Sequence, residues 1–172
     1  MTTESRLKAA LNGTSGTVTR FLEELVGERI AAERCHHQRI AAPASNDLGV
    51  DEGEPLLRRA AVLHGLASGH PFVYAESLIV LGRVPPIFLR GLETGSDPIG
   101  RLLDEAGIAV TRQDLGQVQG GAMDRPRNFD EVVHSSLLAR SYRIESEHLP
   151  LMLISEWFLS ALTPFLLDGV VR

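Results

Sequence analysis

Leu149–Leu159 reads LPLMLISEWFL, ten uncharged residues around one carboxylate, Glu156. Taken as a strand, the stretch alternates. Met152, Ile154, Glu156 and Phe158 share one face, and Leu151, Leu153, Ser155, Trp157 and Leu159 share the other. Both faces are apolar, so the strand belongs in the middle of a sheet that is covered on both sides. A carboxylate in such surroundings is costly unless a partner compensates it. The simplest partner is a structural ion pair. A membrane span is excluded, because Pro150, Glu156 and Pro164 interrupt the apolar run that continues to Leu167.

The other apolar segments also carry internal charges, which shifts the balance away from an isolated ion pair. In LLRRAAVLHG (56–65), Arg59 shares a face with Leu57, Ala61 and Leu63. In PFVYAESLIVLG (71–82), Glu76 sits with Phe72, Tyr74 and Leu78; in LLARSYRIE (137–145), Arg143 sits with Ala139 and Ser141. Arg58 and Arg140 are the alternates. Two acids and two arginines turned inward mean either a buried salt-bridge network or a polar cavity between sheet and helices. The sequence leaves open which acid meets which arginine.

Outward from these strands, 56–65 and 71–82 form a hairpin across LASGH, and 137–145 pairs with the final strand across SEHL. VTRFLEELVG repeats Val18, Phe21, Leu22 and Leu25 at helical spacing and stops at Gly27. ERIAAERCHHQRI (28–40) is ambiguous in period, with a strand carrying polar residues on one face as its best reading. VPPIFLRGLETG and SDPIGRLLDEAG each open a helix at proline; in the second, Ser96 or Asp97 caps and Gly107 closes. Gln113 to Asp130 reads as a polar connection, with QGGAMDRPRN (119–128) as part of a flap. Hairpins with helices clustered between them describe an α+β domain: one antiparallel sheet with helices packed on a face.

The 172 residues suit a single domain over 1–172, with 1–15 as a flexible or peripheral N-terminal segment. A net charge of −5 and a pI near 5.7 disfavour nucleic acid and anionic membranes as partners. The lone Cys35 forms no internal disulfide, and MTTESRLKAALNG lacks the apolar core of a secretion signal, so a cytoplasmic monomer or small homo-oligomer is expected. Adjacent Cys35, His36 and His37 point to opposite faces of a strand and lack further ligands nearby, so no metal site is expected.

The helix starts complete the picture. A first helical turn leaves backbone N–H groups free to meet an anion. In SDPIGRLL those donors are Ile99, Gly100 and Arg101, and Gly100 lets a ligand approach the backbone; GTVTRF offers a second start at Thr17 and Val18. Arginine, carboxylate and two helix N-termini together suit a small anion with more than one carboxylate.

GTVTRF, LLRRAAVLHG, PFVYAESLI, SDPIG and ARSYRI leading into PLMLISEWFL occur in the order in which they stand in the chorismate pyruvate-lyase family, which the chain resembles from about Gly16 to Leu159. The resemblance implies an antiparallel sheet whose helices and flaps enclose a ligand cavity. It also implies conversion of chorismate to 4-hydroxybenzoate and pyruvate without metal or organic cofactor. It places the family's ligand arginine on Arg59, its essential glutamate on Glu156, and backbone donors on Ile99 and Thr17. In this reading Arg59 binds a substrate carboxylate, Glu156 meets the ring hydroxyl and moves protons, and Arg143 completes the charge balance. The rival readings are a ligand-sensing domain of the same fold, disfavoured by the sixteen or so residues before the matching region, and a lyase that yields another hydroxybenzoate.

Overall fold

A computed structural model of the chain describes residues 1–14, 16–116 and 127–168. Within them, six strands form one antiparallel sheet: β1 (Ile30–Ala41), β2 (Pro55–Gly65), β3 (Pro71–Val80), β4 (Thr111–Gly116), β5 (Leu138–Ser146) and β6 (Leu149–Phe158). Their order is β1-β2-β3-β6-β5-β4. The hairpins β2–β3 and β5–β6 are those expected from the sequence, and β6 lies between β3 and β5. That position explains why β6 is apolar on both faces.

The helices are α1 (Thr3–Asn12), α2 (Val18–Val26), α3 (Pro86–Thr94), α4 (Ile99–Glu105), α5 (Arg127–His134) and α6 (Thr163–Leu167). Against one sheet face, Phe21 and Leu22 of α2 pack with Ala61, Leu63 and Phe158. On the same face, Phe88 and Leu92 of α3 and Leu102 and Leu103 of α4 meet Ile79, Tyr142, Met152 and Ile154. The opposite face buries Tyr74 and Trp157 under Phe129 and Val133 of α5, and Leu56 and Val80 under Ala42 and Leu48 of the β1–β2 loop. The Tyr74 and Phe129 rings stack at 4.9 Å.

Local chemistry fixes the ends of α2. The Thr17 hydroxyl accepts from the Arg20 N–H at 3.3 Å, and Gly27 adopts φ 74°, a left-handed conformation that closes the helix at little cost only in glycine. In α4 the expected caps do not form. Pro98 stands in extended geometry before the helix, not as its first residue, and neither Ser96 nor Asp97 caps it. Asp97 instead pairs with Arg101 at 3.1 Å, and the Ser96 carbonyl accepts from Ala32 N–H at 2.8 Å, tying the helix entrance to β1.

Two elements overlap the ends of the stretch read as a polar connection. Edge strand β4 pairs with β5, and α5 follows it. β4 is exposed along its whole length, so it carries no alternating pattern. Residues 119–126 of the expected flap lie outside the described residues. The N-terminal segment, expected to be flexible or peripheral, contains α1, whose Leu7 is buried in the same apolar cluster as Phe158 and Leu166.

Candidate active site

Strand register brings the sequence candidates together. Arg59 lies opposite Ser77, which lies opposite Ile154; one step along, Ala61 lies opposite Ala75, which lies opposite Glu156. Arg59 and Glu156 therefore share a sheet face with β3 between them. Two strand spacings and a two-residue offset place their Cα atoms roughly 12 Å apart. The β3 residues between them are alanine and serine, and that small floor opens a pocket with an empty volume of about 570 Å³, counting its mouth. Thr17, Val18 and Thr19 at the start of α2, with Pro98, Ile99 and Gly100 at the start of α4, form the roof.

Glu156 is 1% exposed and well supported. Arg140, its direct cross-strand neighbour on β5, donates Nε to Oε2 at 2.8 Å. Tyr142, two residues further along the same face, donates its hydroxyl to Oε1 at 2.5 Å. Both carboxylate oxygens thus hold a charge-assisted or short hydrogen bond, and each keeps lone-pair capacity for a ligand. Burial, then the negative charge of Glu156, pushes the Tyr142 hydroxyl well above the usual phenol range, so it remains a donor. For Arg140, burial works against the cation, but Glu156, Tyr142 and Asp114 together outweigh it and hold the guanidinium more firmly protonated.

Arg59 presents the reverse case. It is 5% exposed, has no carboxylate partner among the described residues, and buries an Nε without a hydrogen bond. Burial, assisted by the charge of Arg34, lowers its pKa to about 10. At neutral pH the group is still a cation. A buried cation without a counter-ion makes Arg59 a candidate for binding an anion.

The two helix starts converge through one glycine. A Cβ at position 100 would stand 2.6 Å from Thr17 Cβ and 2.9 Å from Thr17 Cγ2. Gly100 was expected to admit a ligand to the backbone; the space beside it is filled by Thr17, so the missing side chain lets α2 and α4 abut. In α4 the first N–H to bond back is that of Leu102, to the Pro98 carbonyl, which leaves Ile99, Gly100 and Arg101 without intrahelical acceptors. In α2 it is Phe21, to the Thr17 carbonyl.

Arg143 does not belong to this group. Being odd-numbered on β5, it turns to the opposite face from Tyr142. There it bonds Glu145 at 2.8 and 2.7 Å, the Asp47 carbonyl at 3.1 Å, and Gln113. Glu76 also faces away, accepting from Tyr74 OH at 3.2 Å. The inward charges anticipated from the sequence therefore split between the two faces. Three residues escaped the sequence reading in these roles: Tyr142 and Arg112 of β4, which line the pocket, and Arg140, the partner of Glu156. Alternation on β5 from Arg140 to Tyr142 was available as a signal. None existed for Arg112, which stands in a wholly exposed strand.

Cys35 lies at a register shift between Arg34 and His36, and no group of three or more His, Cys, Asp or Glu among the described residues is placed to hold a metal. No helix among the described residues is long and apolar enough to cross a membrane.

Comparison with known proteins shows what the chain is similar to. The chorismate pyruvate-lyase of Mycobacterium tuberculosis is 29% identical over 154 residues, covering 84% of this chain and 75% of that protein. The chorismate pyruvate-lyase of Mycobacterium leprae is 31% identical over 154 residues, covering 87% and 72%. Among solved structures, PhnF from Mycobacterium smegmatis superposes with a TM-score of 0.54 at 13% identity, over 87% of this chain and 66% of that one. The ligand-binding domain of a putative GntR-family transcriptional regulator from Bordetella bronchiseptica gives 0.53 at 14%, over 77% and 86%. At those identities the two structures share the fold alone. The family profile described as chorismate pyruvate-lyase Rv2949c-like matches residues 13–166, from the end of α1 through Glu156 to α6, and the chain belongs to that family.

Proposed function

We propose that this protein is a chorismate pyruvate-lyase that converts chorismate to 4-hydroxybenzoate and pyruvate. The observation that carries the reading is the contrast across the pocket floor: a compensated Glu156 at one end and an uncompensated, buried Arg59 at the other. A ring with a carboxylate at one end and a hydroxyl at the other fits that contrast.

In the proposed reaction the bond from ring C3 to the enolpyruvyl oxygen breaks, ring C4 loses its proton, and the enolpyruvyl methylene gains one. The products are an aromatic hydroxybenzoate and pyruvate. No electrons are exchanged with an outside partner, so the chemistry asks only for positioning and proton movement. Arg59 binds the ring carboxylate, joined by the Ile99 amide and the Thr17 amide at the roof. Glu156 accepts a hydrogen bond from the C4 hydroxyl and takes part in moving the C4 proton. Arg140 and Tyr142 hold both of its oxygens in one orientation, so little reorganisation remains for the reacting state. Apolar walls from Leu103, Val110 and Ile154 limit the water around the developing charge.

The test is to incubate the purified protein with chorismate in excess chelator and to follow pyruvate and hydroxybenzoate together. Equal release of 4-hydroxybenzoate and pyruvate, lost in folded Glu156→Gln and Arg59→Gln variants, supports the proposal. Tight binding of chorismate without turnover overturns it in favour of a ligand-sensing role. Release of a different hydroxybenzoate overturns the product assignment.

A further inference from the structure

Three charged side chains line the pocket: Arg59, Arg112 and Glu156. Glu156 is already compensated by Arg140, whose Nε lies 2.8 Å away. Two guanidinium groups are left over. Arg59 reaches the pocket from β2 on one side, and Arg112 reaches it from edge strand β4 on the other.

The placement of Arg112 is specific. Opposite Ile144 in register, it leans across to the neighbouring Tyr142 and holds its guanidinium carbon 5.1 Å from that ring's centroid. Arg140, two residues before Tyr142 on β5, holds its own at the same 5.1 Å. The phenol that orients Glu156 is thus flanked by a spent cation and an unspent one. Arg112 makes no ion pair among the described residues. Asp114, two positions along β4, forms no ion pair with it; its Oδ1 accepts from the Gly116 N–H at 2.8 Å. Stacking on an aromatic face leaves the edge of a guanidinium, with its N–H donors, free to grip a carboxylate.

We propose that Arg112 is the specificity residue for the second carboxylate of the substrate, the one on the enolpyruvyl group that departs as pyruvate. This deepens the lyase reading and rests on it. It divides labour between the two free arginines. Arg59 holds the carboxylate that stays with the aromatic product, and Arg112 holds the one that leaves. Once the bond breaks, the product keeps a single anchor and the pyruvate another, so each leaves independently.

The experiment compares Arg112→Gln, Arg112→Lys and Arg59→Gln in the full chain, with steady-state KM for chorismate and calorimetric dissociation constants for chorismate and 4-hydroxybenzoate. Losing one charge-assisted contact is expected to raise KM and the chorismate dissociation constant about 10- to 100-fold in Arg112→Gln. The 4-hydroxybenzoate dissociation constant should stay within about twofold. Arg112→Lys, which keeps the charge without the fork, should recover part of the loss. Arg59→Gln should weaken both ligands. Unchanged chorismate binding in Arg112→Gln, or equal weakening of substrate and product, overturns the inference. Should the unmodified protein bind chorismate but release no pyruvate, the lyase reading fails, and the two dissociation constants still decide the role of Arg112.

Discussion

Gly100→Ala tests how the roof of the pocket is built. The added Cβ would meet Thr17 Cβ at 2.6 Å, whereas ordinary contact begins at 3.4 Å, so a separation of 0.8 Å between the starts of α2 and α4 is needed to restore ordinary contact. The helix itself gains, since alanine is about 1 kcal/mol better than glycine in a helix. Overpacking against Thr17 costs about 1–3 kcal/mol. The net loss is roughly 0–2 kcal/mol, a fall in melting temperature of no more than about 8 °C for a chain of this size. Activity should suffer far more, because displacing positioning groups by about 1 Å costs on the order of 10²-fold. Thermal unfolding and kcat/KM for chorismate separate the two effects. The decisive control is Gly100→Ala combined with Thr17→Gly, which deletes Cβ, Cγ2 and the hydroxyl while leaving a residue that still serves as an N-cap at a cost of a few tenths of a kcal/mol. The pair should recover most of the lost turnover. A single variant with full activity, or a double variant no better than the single, refutes the idea that the glycine exists to let the two helix starts touch.

Arg59→Met should abolish turnover yet leave the fold more stable, by up to about 3 kcal/mol, because burial disfavours the cation down to a pKa of about 10 and the thioether carries no such penalty; a lower melting temperature contradicts this. Tyr142→Phe removes one of two donors to Glu156 and should lower kcat about tenfold with little change in KM, as befits a positioning residue that acts through the carboxylate. Ala75→Leu fills the floor between Arg59 and Glu156, so calorimetry should show no 4-hydroxybenzoate binding while circular dichroism stays native. His37, whose imidazole is pushed down by burial and by Arg34 and Arg59, takes a proton more readily unfolded than folded. Stability should therefore rise with pH up to about 6.5 and decline in acid. His37→Asn should flatten that part of the denaturation profile.

The strands that bury side chains on both faces were legible because burial writes itself into sequence as alternation or as apolar runs. β6 shows this best: its apolar faces mark it as central, its β5 neighbour follows from a hairpin, and only its pairing with β3 is long-range and absent from the local pattern, while Glu156 stands out as its charged exception. β4 shows the converse. An edge strand with every side chain exposed has no reason to alternate, so TRQDLG looks like a connection, and Arg112 was invisible with it. The error over Arg143 has another origin. Which face of β5 meets the pocket depends on its register with β6, and that register pairs Arg140, not Arg143, with Glu156. One residue of slip exchanges every side chain between the faces. Register is set by neighbours that a single sequence does not display.

The division of the two faces also explains why so much charge is tolerated inside. On the face away from the pocket, Glu145 and Gln113 satisfy Arg143, and Tyr74 donates to Glu76, so those polar groups are settled within the protein. On the pocket face Glu156 is settled together with Arg140 and Tyr142, which hold it twice over. Arg59 is left with a buried, unsatisfied Nε, although the same interior supplies partners elsewhere. A site selected for stability alone would have replaced that arginine with an apolar residue or given it a carboxylate. An unpaired arginine there costs stability, and it lines the same pocket as the helix starts that Gly100 brings together.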